Sequence, residues 1–345
     1  MQTSGWIMHC RAGYEPTLAA EATAAALQHG IQGWCRARPG SGWVVLEAPG
    51  GEAGPPPDLV FARAAFQLLA ELRDLPTGGR AERIAAALPP ELAVRDLSVE
   101  HPDSDEGRPM ARFCRRFQGP ARRALEDAGM LRRTGKDGQR LHLFFPSSDH
   151  VLLGIGTGAG WPMGIPRLRM PKHAPSRSVM KLEEAFHLLV PASMAPQPGE
   201  RAVDLGAAPG GWTWLLLRRG LQVIAVDNGA LTQELADDPG VHHLRTDAFK
   251  YRPPRPVDWM FCDVVERPGG IAKLVRQWFR HDWCRRSIFN LKLPMKRPLD
   301  TVRDALDAME QTGRIRFKAR QLYHDREEIT VFATADPRDH FISNG

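Results

Sequence analysis

Residues 202–213 read AVDLGAAPGGWT, and the fold follows from this stretch. A buried strand ends at Asp204, a loop of small residues runs from Gly206 to Gly210, and a helix is expected from Gly211. Glycines let a ligand approach the backbone, and the amides opening the helix can meet an anionic group. In an open sheet of this kind the ligand belongs just beyond the carboxyl end of the strand.

Downstream, β-branched and apolar runs predict strands at 201–205, 222–226, 242–246, 258–262, 287–292, 316–322 and 329–333. Helical periods fall between them, notably at 211–219, 270–280 and 299–311. Regular alternation predicts an α/β fold: a mainly parallel sheet with helices on both faces. The last two strands are separated by a short loop and are expected to form an antiparallel hairpin at the sheet edge.

Upstream, a glycine-, proline- and basic-rich connector at 156–178 marks the main change of pattern. Before it the chain reads as α+β. Strands are expected at 6–11, 43–47, 92–100, 141–145 and 150–155, and helices at 15–27, 81–88 and 110–128; residues 59–72 are apolar without a clear period. The expected organisation is an N-terminal α+β part at 1–75, a second at 76–160, a linker at 161–178 and the alternating domain at 179–345. The helix at 110–128 carries Arg112, Arg115, Arg116, Arg122 and Arg123, and Arg132 and Arg133 follow it. Spacings of three and four stack guanidinium groups along one side, which suits a phosphate backbone, although a solvated face accounts for such a run equally well.

The chain has 345 residues, 43% hydrophobic and 25% charged, as expected of a globular protein of about two domains. Its net charge of +6 is compatible with a polyanionic partner. Five scattered cysteines, none in a Cys-x-x-Cys pair, argue against a disulfide framework and a zinc site, so no metal is expected. The N-terminus lacks a signal-peptide pattern and no run of 18 apolar residues occurs, so a cytoplasmic protein without membrane contact is expected.

A dinucleotide fingerprint, G-x-G-x-x-G, competes for the 206–211 loop, but Ala208 replaces its second glycine and Pro209 follows. Asp227 closes the next strand 21 residues after Gly206, where a carboxylate can accept ribose hydroxyls. Asp247 closes the third, in reach of an adenine amino group. Singly, each is more often a strand-end turn residue. Three aspartates at successive strand ends, beside a glycine loop, point to a nucleoside.

D-x-G-x-x-P-G-G followed by these acids resembles the S-adenosylmethionine site of Rossmann-like methyltransferases, and more closely the FtsJ type of ribose 2′-O-methyltransferase. The resemblance implies a cofactor held by Ser178, Ala208, Pro209, Gly210, Gly211, Asp227, Asp247 and Asp263. It also implies a lysine-aspartate-lysine-glutamate set, filled here by Lys181 in SRSVMKLEEAF, Asp263 in FCDVVERP, Lys292 in FNLKLPMK and Glu328 in DREEITVF. A ribose hydroxyl is a poor nucleophile and must lose its proton as it attacks a sulfonium methyl group in line. Lys292 is the expected general base, its neutral form favoured by burial, by Lys181 and by the cationic sulfonium. Asp263 is expected to orient that amine and the donor, Lys181 to position the ribose, and Glu328 to hold Lys181 or the hydroxyl. Exocyclic-amine enzymes carry an Asn/Asp-Pro-Pro-aromatic motif after the fourth strand, which is absent here. Cys262 and Cys284 follow Phe261 and Trp283, so neither has the proline that precedes a pyrimidine-attacking cysteine.

HCRAGYEPTLAAEA, RFCRRFQGPARRALEDAG and MGIPRLRMPKHAPSRSVMKLEEAFH extend the likeness over nearly the whole chain, which is similar to the bacterial RlmM family. That implies S-adenosylmethionine-dependent 2′-O-methylation of a cytidine in 23S rRNA, with a THUMP-containing RNA-binding region ahead of the catalytic domain. The implied partner is 23S rRNA or a large-subunit assembly intermediate; nothing in the sequence demands a dimer, so a monomer without an obligate protein partner is expected. Two alternatives stay open: a non-catalytic rRNA-binding or assembly factor that keeps the pocket, and an NAD-dependent oxidoreductase.

Overall fold

A computed structural model describes residues 4–49, 53–132, 138–157, 160–336 and 339. The chain divides into two compact units, Met1–Pro166 and Arg167–Gly345. Among the described residues no helix is long and apolar enough to cross a membrane.

Unit 1 runs β1 (Gly5–His9), α1 (Glu15–Gln28), β2 (Trp34–Ala37), β3 (Trp43–Glu47), β4 (Ala64–Leu72), α2 (Arg80–Ala86), β5 (Asp96–Glu100), α3 (Met110–Asp127), β6 (Gln139–Ser147) and β7 (His150–Thr157). One sheet, ordered β2-β3-β1-β4-β7-β6-β5, crosses the expected division near residue 75, because β4 pairs with β7. Residues 64–72, undecided by period, form a strand inside this sheet and bulge between Leu68 and Ala70. β2 was not expected at all. It is an edge strand with no buried residue, so it lacks the alternation that announces a strand.

Unit 2 runs α4 (Val179–Leu188), β8 (Arg201–Leu205), α5 (Gly211–Arg218), β9 (Gln222–Val226), α6 (Gln233–Ala236), β10 (Val241–Leu244), β11 (Val257–Cys262), α7 (Pro268–Arg280), β12 (Cys284–Lys292), α8 (Pro298–Glu310), β13 (Arg316–Arg320) and β14 (Glu328–Thr334). The sheet order is β10-β9-β8-β11-β12-β14-β13. β8 to β12 are parallel, and β13 and β14 form the antiparallel hairpin, with β14 set between β12 and the edge strand. On one face Ala202, Trp259, Phe261, Ile288 and Phe332 meet Leu182, Phe186, Trp212 and Leu216 of α4 and α5. Each large apolar side chain buried there contributes about 1.5–3 kcal/mol. Chain order reverses between β8 and β11, so a crevice opens where their carboxyl ends part.

Candidate active site

The 206–210 loop leaves β8 at that crevice. Gly206 has φ +79°, and a Cβ there would lie 2.9 Å from Val264 Cγ2 in the segment after β11. A Cβ on Gly211 would fall on the hydroxyls of Ser176 and Ser178. Glycine therefore lets three segments close on one pocket of about 250 Å³, lined by Ser176, Ser178, residues 206–209, Trp212 and Asp263. The Trp212 indole donates to the Ser178 carbonyl at 3.0 Å and fixes the segment that carries both serines.

The predicted cofactor residues take different places around this pocket. Ser178, Ala208, Pro209 and Asp263 line it, whereas Gly210 and Gly211 shape the start of α5 behind it. Asp227 reaches it through the backbone: its carboxylate accepts the Ala208 amide at 3.1 Å and the Gly229 amide at 2.7 Å. Asp247 accepts the Phe249 amide at 2.8 Å, closing its own turn beyond β10. Ser176, Gly206, Ala207 and Trp212 are pocket residues that the motif reading passed over; tryptophan after a glycine pair was the available signal. Asp204 is not among the residues lining the pocket. It is buried, accepts the Thr213 hydroxyl at 2.7 Å, and burial pushes its pKa up to about 7. It ties β8 to α5 as a brace that is neutral below about pH 7.

Lys181, Asp263, Lys292 and Glu328 converge beside this pocket. Lys181 is one turn into α4 and donates to Asp263 Oδ2 at 3.1 Å and to Glu328 Oε1 at 2.7 Å. Burial pulls its pKa down, but Asp263 and Glu328 outweigh that and hold it above the usual lysine value. Glu328 also pairs with Lys292, directly opposite it on β12. Two expectations change here. Asp263 holds Lys181 and not Lys292, so Glu328 is what links the lysines. Nor is Lys292 deeply buried: its side chain is 34% exposed, against 12% for Lys181, so the burial expected of it is not found.

The height of Lys181 over the sheet is set by a residue the motifs did not show. Glu184, one turn along α4 and fully buried, accepts the amides of Tyr323 at 2.8 Å and His324 at 3.0 Å, and the His324 ring at 2.7 Å. This clamps α4 to the turn before β14. The Cys262 thiol is buried and pushed up to about 12, which rules it out as a ready nucleophile.

In unit 1, Arg112, Arg115, Arg116 and Arg123 are exposed on α3, and Arg132 is exposed after it. Arg112, Arg116 and Arg123, spaced by four and seven residues, lie along one side of the helix. Arg122 turns toward Asp96, 3.4 Å away. Arg133 lies outside the described residues.

Three family models match the chain: FtsJ-like methyltransferase over residues 174–294, ribosomal RNA large subunit methyltransferase M, N-terminal, over 80–157, and the RlmM ferredoxin-like domain over 3–66. The ribosomal RNA large subunit methyltransferase M of Halorhodospira halophila is 63% identical, over 96% of this chain and 97% of its own. This chain belongs to that RlmM family. The enzymes of the same name from Alkalilimnicola ehrlichii and Xanthomonas axonopodis pv. citri are 47% and 44% identical, over 95% and 96% of this chain and 94% and 100% of theirs. Like other RlmM proteins, it is a methyltransferase that uses S-adenosylmethionine. The pocket fits that cofactor, since glycine bares the backbone, serine hydroxyls line one wall, and Asp263 offers a carboxylate to a cationic group.

Proposed function

We propose that the protein methylates the ribose 2′-hydroxyl of a cytidine in 23S rRNA, as a cytoplasmic monomer. The observation that carries this reading is the meeting of two lysines and two carboxylates beside the pocket, which Asp263 lines. S-adenosylmethionine supplies the methyl group on a cationic sulfonium. Ser178, Ala208, Pro209, Gly210, Gly211, Asp227 and Asp263 hold it, with Asp247 on the adenine side.

Lys181, locked between Asp263 and Glu328, stays an ammonium and orients the ribose. Lys292 faces one carboxylate and remains open to solvent, and it is the general base that takes the proton from the hydroxyl. Glu328 keeps its amine in line. The exposed arginines of α3, with Arg132 and Arg133, hold rRNA phosphates, a reading supported by the exposure of Arg112, Arg115, Arg116, Arg123 and Arg132. These contacts supply affinity, whereas choice of nucleotide rests on RNA shape and an unpaired, extruded base.

The test is transfer of labelled methyl from S-adenosylmethionine to unmethylated 23S rRNA, with the product linkage expected to resist alkaline cleavage. Label on a base atom would overturn the reaction class. Cofactor binding without turnover on any rRNA form would leave an assembly factor.

A further inference from the structure

Two apolar side chains stand in the open beside the four convergent residues. Among the described residues Met295, at 98%, and Val265, at 84%, are the most exposed of the large hydrophobics. Single apolar residues on a surface are ordinary, and what sets these two apart is their place. Val265 follows Asp263 by two residues, and Met295 follows Lys292 by three. Their segments leave β11 and β12, which are neighbouring parallel strands, at the carboxyl edge of the sheet.

Both segments are held at their roots. The Asn290 side-chain amide donates to Asp263 Oδ1 at 2.8 Å, and the Leu293 amide to the Glu327 carbonyl at 2.7 Å. Pro294 has no N–H to extend that pairing, and every residue from it to Arg297 is exposed. The surroundings suit a polyanion: Arg267 and Lys296 are exposed, while Glu266 turns back on its own chain and accepts the Arg267 amide at 2.6 Å. The occupant follows from the ribose. Its 2′-hydroxyl and its base sit on neighbouring carbons, C2′ and C1′, so a hydroxyl delivered to Lys292 brings its base to the same edge. A base drawn out of an RNA helix has lost its stacking neighbours, and apolar side chains can replace them.

We propose that Val265 and Met295 form the apolar contact for the base of the target nucleotide, taking over the stacking it loses on leaving the RNA helix. Apolar side chains meet the flat face of a base and bond to none of its edge groups. The contact therefore supplies grip and leaves base identity to other groups. It rests on the ribose-methylation reading. Unaltered enzyme that leaves no alkali-resistant linkage in rRNA defeats that reading, whereas the contact is judged from variants relative to active wild type.

The experiment measures methyl transfer to unmethylated 23S rRNA by Val265→Ala combined with Met295→Ala. Because both side chains are exposed, the melting temperature is expected to stay at the wild-type value. Apolar contact with the base is the same before and during methyl transfer, so its loss should appear in binding. The double variant is expected to raise the KM for rRNA roughly ten- to a hundredfold, with kcat and S-adenosylmethionine affinity within about threefold of wild type. The slope of log rRNA affinity against log salt should not change, since no phosphate contact is lost. Met295→Leu, which keeps an apolar side chain, should recover most of what Met295→Ala loses. Wild-type KM in the double variant, or an equal rise in Met295→Leu and Met295→Ala, overturns the contact. A fall in kcat at unchanged KM overturns it too, by assigning the segments to the shaping of Lys292, and a shallower salt slope does so by assigning the effect to phosphates. A wild-type dimer that the double variant dissolves would give the surface to a second copy of the chain and likewise overturn it.

Discussion

Each unit of the molecule buries a carboxylate between two basic side chains, and the two clusters do different work. In unit 1 Glu100, fully buried, accepts His142 Nδ1 at 3.0 Å, with His9 Nε2 at 3.2 Å on its other oxygen. Both rings pack on Phe66, the His142 ring stacked at 4.0 Å between centroids. The Met163 amide completes the set at 3.2 Å. In unit 2 Glu328 also sits between two bases, but one of them, Lys292, is a third exposed, and Asp263 beside Lys181 lines the pocket. Charge pairing alone therefore does not mark a site. A cluster closed by aromatic rings joins β1, β5 and β6; a cluster open on one side can exchange protons and meet a substrate.

The largest expected effect tests the open cluster. Lys292→Ala should lower methyl transfer by about 10²–10⁴-fold, the usual contribution of a general base, while leaving S-adenosylmethionine affinity within a few-fold. Labelled methyl incorporation alongside cofactor titration measures both. An active variant would remove Lys292 as the base and leave the comparison without its functional half.

Next comes a pair of buried carboxylates with opposite signs. Burial holds Asp204 at about 7, above the usual aspartate value of 3.8. In the unfolded chain it ionises from about pH 4, so its stabilising contribution is complete below that and lost as pH rises through 7. The loss by pH 8 is on the order of 4 kcal/mol, and Asp204→Asn should remove it. Burial also pushes Glu100 up, but its two histidines outweigh that and hold it well below the usual value of 4.5. Its contribution is therefore present above pH 4.5 and lost as pH falls. Glu100→Gln should cost about 2–3 kcal/mol at neutral pH, with turnover per folded molecule unchanged. Thermal melts of both variants from pH 3 to 9 separate the two. Parallel pH curves for wild type and Asp204→Asn would refute the neutral brace.

The contrast also explains how much could be read beforehand. The strand and helix order of unit 2 was legible because small residues between strong apolar runs leave few topologies for a parallel sheet. The four convergent residues were legible through motif resemblance, since 147 residues separate Lys181 from Glu328 and no local spacing joins them. Asn290, which holds Asp263, was hidden for the opposite reason: inside a strand it reads as core, and only the neighbouring strand reveals what it faces. Glu184 and Glu100 were hidden too, because a glutamate in a helix or strand looks solvent-facing until its partners are placed. The edge strand β2 has no buried residue to betray it.

The smallest effect concerns the arginines of α3, where neighbours in sequence differ in surroundings. Arg123 is exposed on the side shared with Arg112 and Arg116, and among the described residues no acidic side chain pairs with any of these three. Arg122, one position earlier, lies 3.4 Å from Asp96, which also takes Arg140 at 3.1 Å. If the open side grips RNA phosphates, Arg123→Ala should weaken rRNA binding a few-fold and lower the slope of log affinity against log salt by about 0.7–0.9, one phosphate's worth. Arg122→Ala should change that slope by less, because Asp96 already offsets its charge. Filter binding across a salt series measures both. Equal slopes for the two variants would mean that the ridge is a solvated face, leaving the grip on RNA to the exposed Arg167, Arg169, Lys172 and Arg177.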